Sequence, residues 1–312
     1  MKVAIVDQGT NSARLLLAEV EKGRVRSLVR RARVTRLGQG VDRTHRLDPA
    51  AVRRTLACLT DYAAEIAAFA PQRRLLIATS VLRDVADGAA FLGELESRFE
   101  LPWRILSGAE EAAWAYRGAR AGLADVTGTV VVVDIGGGST ELAVGTGRLP
   151  DWSRSLEVGV VRLTERFLAS DPPTDEQWRS ALAFTRELLA AEVPDSLAGT
   201  VGGGIGVAGT VTTLVAHKLG MREYDAARVH GHLLSQADIE AAARTFRGLA
   251  AAERAHLPGI QRGREDVILA GALIAGEVCR RFGLAGLTVS EADILEGSAL
   301  FLAEQAGEGV EM

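Results

Sequence analysis

The chain has 312 residues, 47% apolar and 24% charged, with a mean hydropathy of +0.12, an ordinary globular composition of a length that suggests two domains. A net charge of −4 excludes a global field that attracts nucleic acid, and no apolar run approaches the roughly 20 residues needed to cross a bilayer. Cys58 and Cys279 are too few and too far apart for a disulfide framework, and the opening MKVAIVDQGT turns polar too soon for a secretory leader, so a cytoplasmic location is expected.

Residues 3–7 (VAIVD) are a short apolar run ending in Asp7, followed by the small polar turn Gly9-Thr10-Asn11-Ser12. Strands are predicted over 14–20 and 24–34, the second rich in arginine and read as one solvated face, with no aromatic platform for nucleic acid. Asp48 and Pro49 stand where an N-cap and first helical residue belong, so a helix is predicted to about residue 69. A strand (73–79), a helix (84–99), a strand (103–106) and a helix (107–120) follow, an alternation that implies an α/β domain with a mixed sheet.

At Thr129 the pattern restarts. The run 130–134 (VVVVD) ends in Asp134, leads into Gly136-Gly137-Gly138-Ser139-Thr140 and resumes as a strand over 141–144. Asp134, Gly136, Ser139 and Leu142 match Asp7, Gly9, Ser12 and Leu15 at a single offset of 127 positions, an internal repeat at the scale of a domain. Helices are predicted over 159–168, 174–192, 209–218, 235–247, 264–282 and 291–304, with strands at 200–207 and 286–289. The expected organisation is two similar domains, 1–125 and 126–312, whose hairpin tips share a cleft, with the last helix free to pack back on the first domain. The tail from Gly307 is expected to fray.

Small residues let backbone approach a ligand, and successive N–H groups in a tight turn form a nest for an anion. Gly9, Thr10, Asn11 and Ser12, with Gly136, Gly137, Gly138, Ser139 and Thr140, are therefore candidate phosphate-binding residues. Asn11 is the one asparagine of the chain. Gly209 and Thr210 open a helix that offers a further anion site, and Arg83 lies between a strand and a helix where its fork suits phosphate. Asp134, Glu141 and Asp7 are candidate ligands for Mg²⁺, which favours one or two carboxylates with substrate oxygens and water. Ser107 and Glu110 have the spacing of a capping box, which gives Glu110 a structural duty and leaves Glu111 as the candidate general base.

Six ordered segments carry a resemblance: Asp7 to Ser12 (DQGTNS), Arg36 to Asp42 (RLGQGVD), Ala78 to Arg83 (ATSVLR), Ser107 to Ala112 (SGAEEA), Asp134 to Leu142 (DIGGGSTEL) and Gly209 to Leu214 (GTVTTL). Together they resemble the exopolyphosphatase/guanosine pentaphosphatase (Ppx/GppA) phosphatase family of the actin-like and sugar-kinase superfamily, over Val3 to about Gly297. The resemblance implies two actin-like, ribonuclease H-like domains with mixed sheets flanked by helices and an active site in the interdomain cleft. It implies Glu111 as catalytic base, Asp134 and Glu141 as catalytic residues tied to Mg²⁺, and release of orthophosphate from the end of inorganic polyphosphate. Guanosine pentaphosphate is the alternative substrate; a sugar kinase holding ATP and a non-catalytic polyphosphate or alarmone sensor rank lower. No nucleic-acid or membrane partner is expected, and the family makes a homodimer plausible. Gln8, where an apolar residue is usual, and Asp87, in place of an asparagine, depart from the pattern. Larger members also carry a C-terminal helical region with no counterpart in this sequence, which bears on long polyphosphate chains.

Overall fold

The computed structural model describes residues 1–123 and 126–307. The expected boundary after residue 125 adjoins, and the tail beyond Gly307 forms, positions outside the described residues. The chain divides into two α/β units: Met1–Ala121 joined by the stretch from Ala292, and Gly122–Glu291.

In the first unit, β1 (Lys2–Gln8), β2 (Ser12–Glu21) and β3 (Arg24–Val34) form an antiparallel meander. β4 (Arg73–Ala78) and β5 (Trp103–Ile105) add in parallel on the other side of β1, giving the order β3-β2-β1-β4-β5. The alternation of β1 and β2 sends Ala4, Val6, Leu15 and Leu17 to one face, where they pack with Leu59 and Tyr62 of the helix Pro49–Phe69. It sends Val3, Ile5, Leu16 and Ala18 to the other, against Trp114 and Ala115 of the helix Gly108–Gly122 and Leu295 and Leu300 of the terminal helix Ile294–Gln305. The Asp48 carboxylate accepts the N–H groups of Ala50 and Ala51, with Pro49 in the first turn, as the sequence predicts.

In the second unit, β6 (Val130–Ile135), β7 (Thr140–Gly145) and β8 (Trp152–Leu156) form the meander. β9 (Gly203–Val207) and β11 (Gly286–Val289) continue in parallel, and β10 (Leu233–Ser235) pairs antiparallel to β11 at the edge. Read from β8, the order β8-β7-β6-β9-β11 repeats that of the first unit strand for strand. The internal repeat of the sequence is thus a repeat of the fold, two α/β units built on one strand order. The buried helix Ile268–Phe282 packs with Val160–Phe167, Asp175–Glu192, Ala208–Lys218 and Gln236–Arg247 to fill the core on one face.

Three expectations require correction. The helix predicted over 84–99 is two helices, Ser80–Asp84 and Gly88–Phe99, because the backbone turns extended at Val85. β8 and β10 are strands that hydrophobic alternation does not reveal, being short and mixed in polarity. The arginines of β3 do not form one solvated face. A register shift between the pairs Leu17↔Val29 and Ala18↔Ser27 leaves Leu28 as a bulge, so the faces exchange there. Arg31 and Arg33 reach Glu65 and Asp61 on one side, whereas Arg30 joins Ser27 on the side of the terminal helix and pairs with Asp293 and Glu296.

Both thiols are buried and free. Burial pushes Cys58 up from its ordinary pKa and Cys279 up to about 12. A disulfide reagent at pH 8 is therefore expected to label neither cysteine in the native chain and both in guanidinium chloride, read by absorbance of the released thiolate.

Candidate active site

Each meander ends its first hairpin in a loop tied back to the segment that follows its third strand. In the first unit, Gly9 N–H donates to Ser12 O (3.0 Å), Thr10 O accepts from Gly38 N–H (2.8 Å), and Asn11 O accepts from Thr35 and Arg36 N–H (3.0 and 2.9 Å). In the second, Gly136 N–H donates to Ser139 O (3.0 Å) while Gly136 O and Gly137 O accept from Val160 and Val161 N–H, both at 2.9 Å. A trans peptide points its N–H opposite its C=O. The carbonyls of Thr10, Gly136 and Gly137 thus turn the N–H groups of Asn11, Gly137 and Gly138 away from the backing segment, as an anion nest requires.

The second loop lies so close to its backing segment that a Cβ at Gly159 would sit 2.4 Å from Gly137 O and 2.6 Å from Gly138 C. Backbone cannot yield as a flexible side chain does. Gly159→Ala is expected to cost about 1–3 kcal/mol of stability and to lower activity by displacing the loop; the denaturation midpoint and turnover check both.

Asp7 faces Arg14 directly across the first hairpin. Arg14 Nε and Nη2 bind Asp7 Oδ2 at 2.7 and 2.6 Å, and Nη1 binds Asp293 Oδ2 at 2.5 Å. Arg30 continues the chain to Asp293 (2.8 Å) and Glu296 (2.5 Å). Burial pushes the Asp7 carboxyl up, against the pull of Arg14. Burial works upward on Asp293 too, but Arg14, Arg30 and the Leu295 N–H outweigh it and hold this carboxyl below its ordinary range. The structure therefore gives Asp7, an expected cation ligand, an arginine on one oxygen, while its Oδ1 and the nearby Asn11 Nδ2 are buried without a hydrogen-bond partner.

The two adjacent glutamates are separated in role. Glu110 closes the predicted capping box with the N–H and hydroxyl of Ser107 (2.9 and 2.8 Å) and pairs with Arg104. Burial raises its carboxyl, but those donors outweigh it and bring it down. Glu111 is 7% exposed, and its Oε2 accepts from Arg83 Nη1 at 2.7 Å, a nitrogen that also donates to Leu106 O at 2.7 Å. Two expected sites, Arg83 and Glu111, are thus brought into contact.

In the second unit, Asp134 on β6 stands opposite Glu141 on β7, and Glu141 stands opposite Ser155 on β8, so the three side chains form one row on one face of the sheet. Both carboxylates are buried. Carboxylates directly opposite each other repel unless cations or donors accompany them, and this all-oxygen pair suits a hard divalent cation. Among the described residues, no group of three or more His, Cys, Asp or Glu side chains is placed to hold a metal.

Some expected donors have other duties. The single hydroxyl protons of Thr140 and Thr210 go to Val158 O (2.5 Å) and Ile135 O (2.8 Å), so these residues brace backbone instead of presenting donors. Gly209 opens the helix Ala208–Lys218 as expected, and against it lies Arg264, a buried arginine not singled out from the sequence. A Cβ at Gly209 would meet Arg264 Nη2 at 2.1 Å. Of the departures, Gln8 is buried with its Nε2 on Gly9 O (3.0 Å) and its Oε1 without a donor, and Asp87 precedes the helix Gly88–Phe99 without a side-chain cap.

The sequence profile of the Ppx/GppA phosphatase family matches residues 16–305. The chain belongs to the Ppx/GppA phosphatase family. Among relatives, Exopolyphosphatase 2 of Mycobacterium tuberculosis is 41% identical, covering 97% of this chain and 98% of its own. The crystal structure of the Aquifex aeolicus Ppx/GppA family member superposes with a TM-score of 0.82 at 31% identity over 98% of both chains. That of an exopolyphosphatase-like protein does so with a TM-score of 0.91 at 35% identity, over 98% of this chain and 100% of the other. A Ppx/GppA phosphatase acts on phosphoanhydrides. Among the described residues no helix is long and apolar enough to cross a membrane.

Proposed function

We propose that this chain is an exopolyphosphatase, hydrolysing the terminal phosphoanhydride of inorganic polyphosphate to release orthophosphate. The observation that carries the reading is the buried contact of Glu111 with Arg83, beside a Glu110 committed to the helix cap. The 41% identity to a relative named as an exopolyphosphatase supports the same substrate.

Glu111 takes the proton of the attacking water, and Arg83, which holds Glu111 in place, contacts the terminal phosphate. The N–H groups of the two hairpin loops, with the unpartnered Asn11 amide, bind phosphate oxygens. Asp134 and Glu141 would hold Mg²⁺, which when bound supplies positive charge against the phosphate chain. Asp7, at the base of the first hairpin, has its carboxylate countered by Arg14, which keeps its negative charge from opposing a phosphate at the loop.

The test is orthophosphate release from short polyphosphate, long polyphosphate and guanosine pentaphosphate, each with and without a chelator. Chelator-sensitive release from polyphosphate is expected. Release from the nucleotide alone would assign the chain to guanosine pentaphosphate, and tight binding with no release from any of the three would make it a sensor.

A further inference from the structure

We infer that Ser155 is a positioning residue for the cation site, orienting the Glu141 carboxylate toward the position opposite Asp134. This rests on the proposal that Glu141 holds the divalent cation.

The Ser155 hydroxyl donates to Glu141 Oε1 at 2.7 Å. Strand pairing fixes that contact: Asp134, Glu141 and Ser155 are successive partners across β6, β7 and β8, so the carboxylate of Glu141 lies between a second carboxylate and a hydroxyl. A buried glutamate has three rotatable side-chain bonds, and a directional donor on one oxygen favours one rotamer and with it the direction in which the other oxygen points. β8 is the last strand at its side of the sheet, and Ser155 is half-buried there while Leu156 enters the core. The serine is thus not a core-packing residue, and its hydroxyl is spent on Glu141. Partners of this kind, which orient a metal ligand through its other oxygen, change metal affinity by roughly 10–100-fold when removed.

Binding of Mn²⁺, followed by electron paramagnetic resonance without substrate, tests the inference apart from turnover. Ser155→Ala should weaken Mn²⁺ binding about tenfold and raise the Mg²⁺ concentration for half-maximal orthophosphate release by a similar factor. Ser155→Thr keeps a hydroxyl on a β-favouring side chain and should restore both. Wild-type Mn²⁺ affinity in Ser155→Ala, or a loss that Ser155→Thr leaves uncorrected, would overturn the positioning role. Glu141→Gln is the separate arm: loss of Mn²⁺ binding supports Glu141 as a ligand, whereas unchanged binding removes the cation from this row and the inference with it.

Discussion

Glu111→Gln is expected to lower orthophosphate release by about 10²–10⁴-fold, the usual loss when a general base is removed. The substitution is nearly isosteric, and the amide oxygen can still accept from Arg83, so the contact that seats the side chain survives while its ability to take a proton does not. Circular dichroism and the thermal midpoint should stay close to those of the unaltered chain. Glu110→Gln is the matched control. It disturbs the bonds to Ser107 and Arg104 and should cost about 1 kcal/mol of helix capping with turnover largely kept. Near-normal turnover in Glu111→Gln would remove it from the chemistry, and equal losses in both variants would dissolve the distinction between them.

Arg14→Met is expected to destabilise the first unit by about 3–5 kcal/mol, because it strips buried Asp7 of the arginine on its carboxylate and leaves Asp293 with Arg30 as its remaining arginine. Asp7 and Asp293 are 3% and 2% exposed, and Arg14 is the link between them. The sign of the pH dependence follows from the two shifts. Asp293 sits below its ordinary pKa, so its contribution to stability is present above the unfolded value and is lost as pH falls through the folded one. Asp7 sits above its ordinary pKa, so its contribution is full below the unfolded value and is lost as pH rises through the folded one. Removing the arginine takes its pull from both carboxyls, and protonation then relieves them. The deficit of Arg14→Met against the unaltered chain, measured by denaturant unfolding, should shrink between pH 7 and about 4. A deficit that is flat over that range would mean that packing of the arginine stem, not its charge, is what the chain loses.

The repeated Asp-x-Gly-x-x-Ser loops, the Asp48 cap and the Ser107–Glu110 box are legible in the sequence because each is a local arrangement whose partners lie within a few positions. The core strands are equally plain, since apolar runs such as VVVV can only be interior. What escapes is set by distance along the chain. Arg14 and Asp293 are 279 positions apart, and no local pattern announces that the last helix brings its cap to the first hairpin. Arg30 is hidden for another reason: the bulge at Leu28 breaks the period of two, so simple alternation assigns it to the wrong face. Arg264 is one arginine among many until the fold lays it on Gly209, and Ser155 belongs to a strand too short and too polar to stand out.

The terminal helix Ile294–Gln305 completes the apolar face of a sheet whose first strand begins at Lys2. The second unit, contiguous from Gly122 to Glu291, is therefore synthesised before the residues that complete the first. Until then Val3, Ile5, Leu16 and Ala18 have Trp114 and Ala115 of the helix Gly108–Gly122 as cover but not Leu295 and Leu300, and Arg14 and Arg30 lack Asp293 and Glu296. Arg14 then has Asp7 as its partner, whereas Arg30, on the edge strand β3, waits for both of its carboxylates, and a charge at that edge disfavours pairing of the unfinished sheet with another chain.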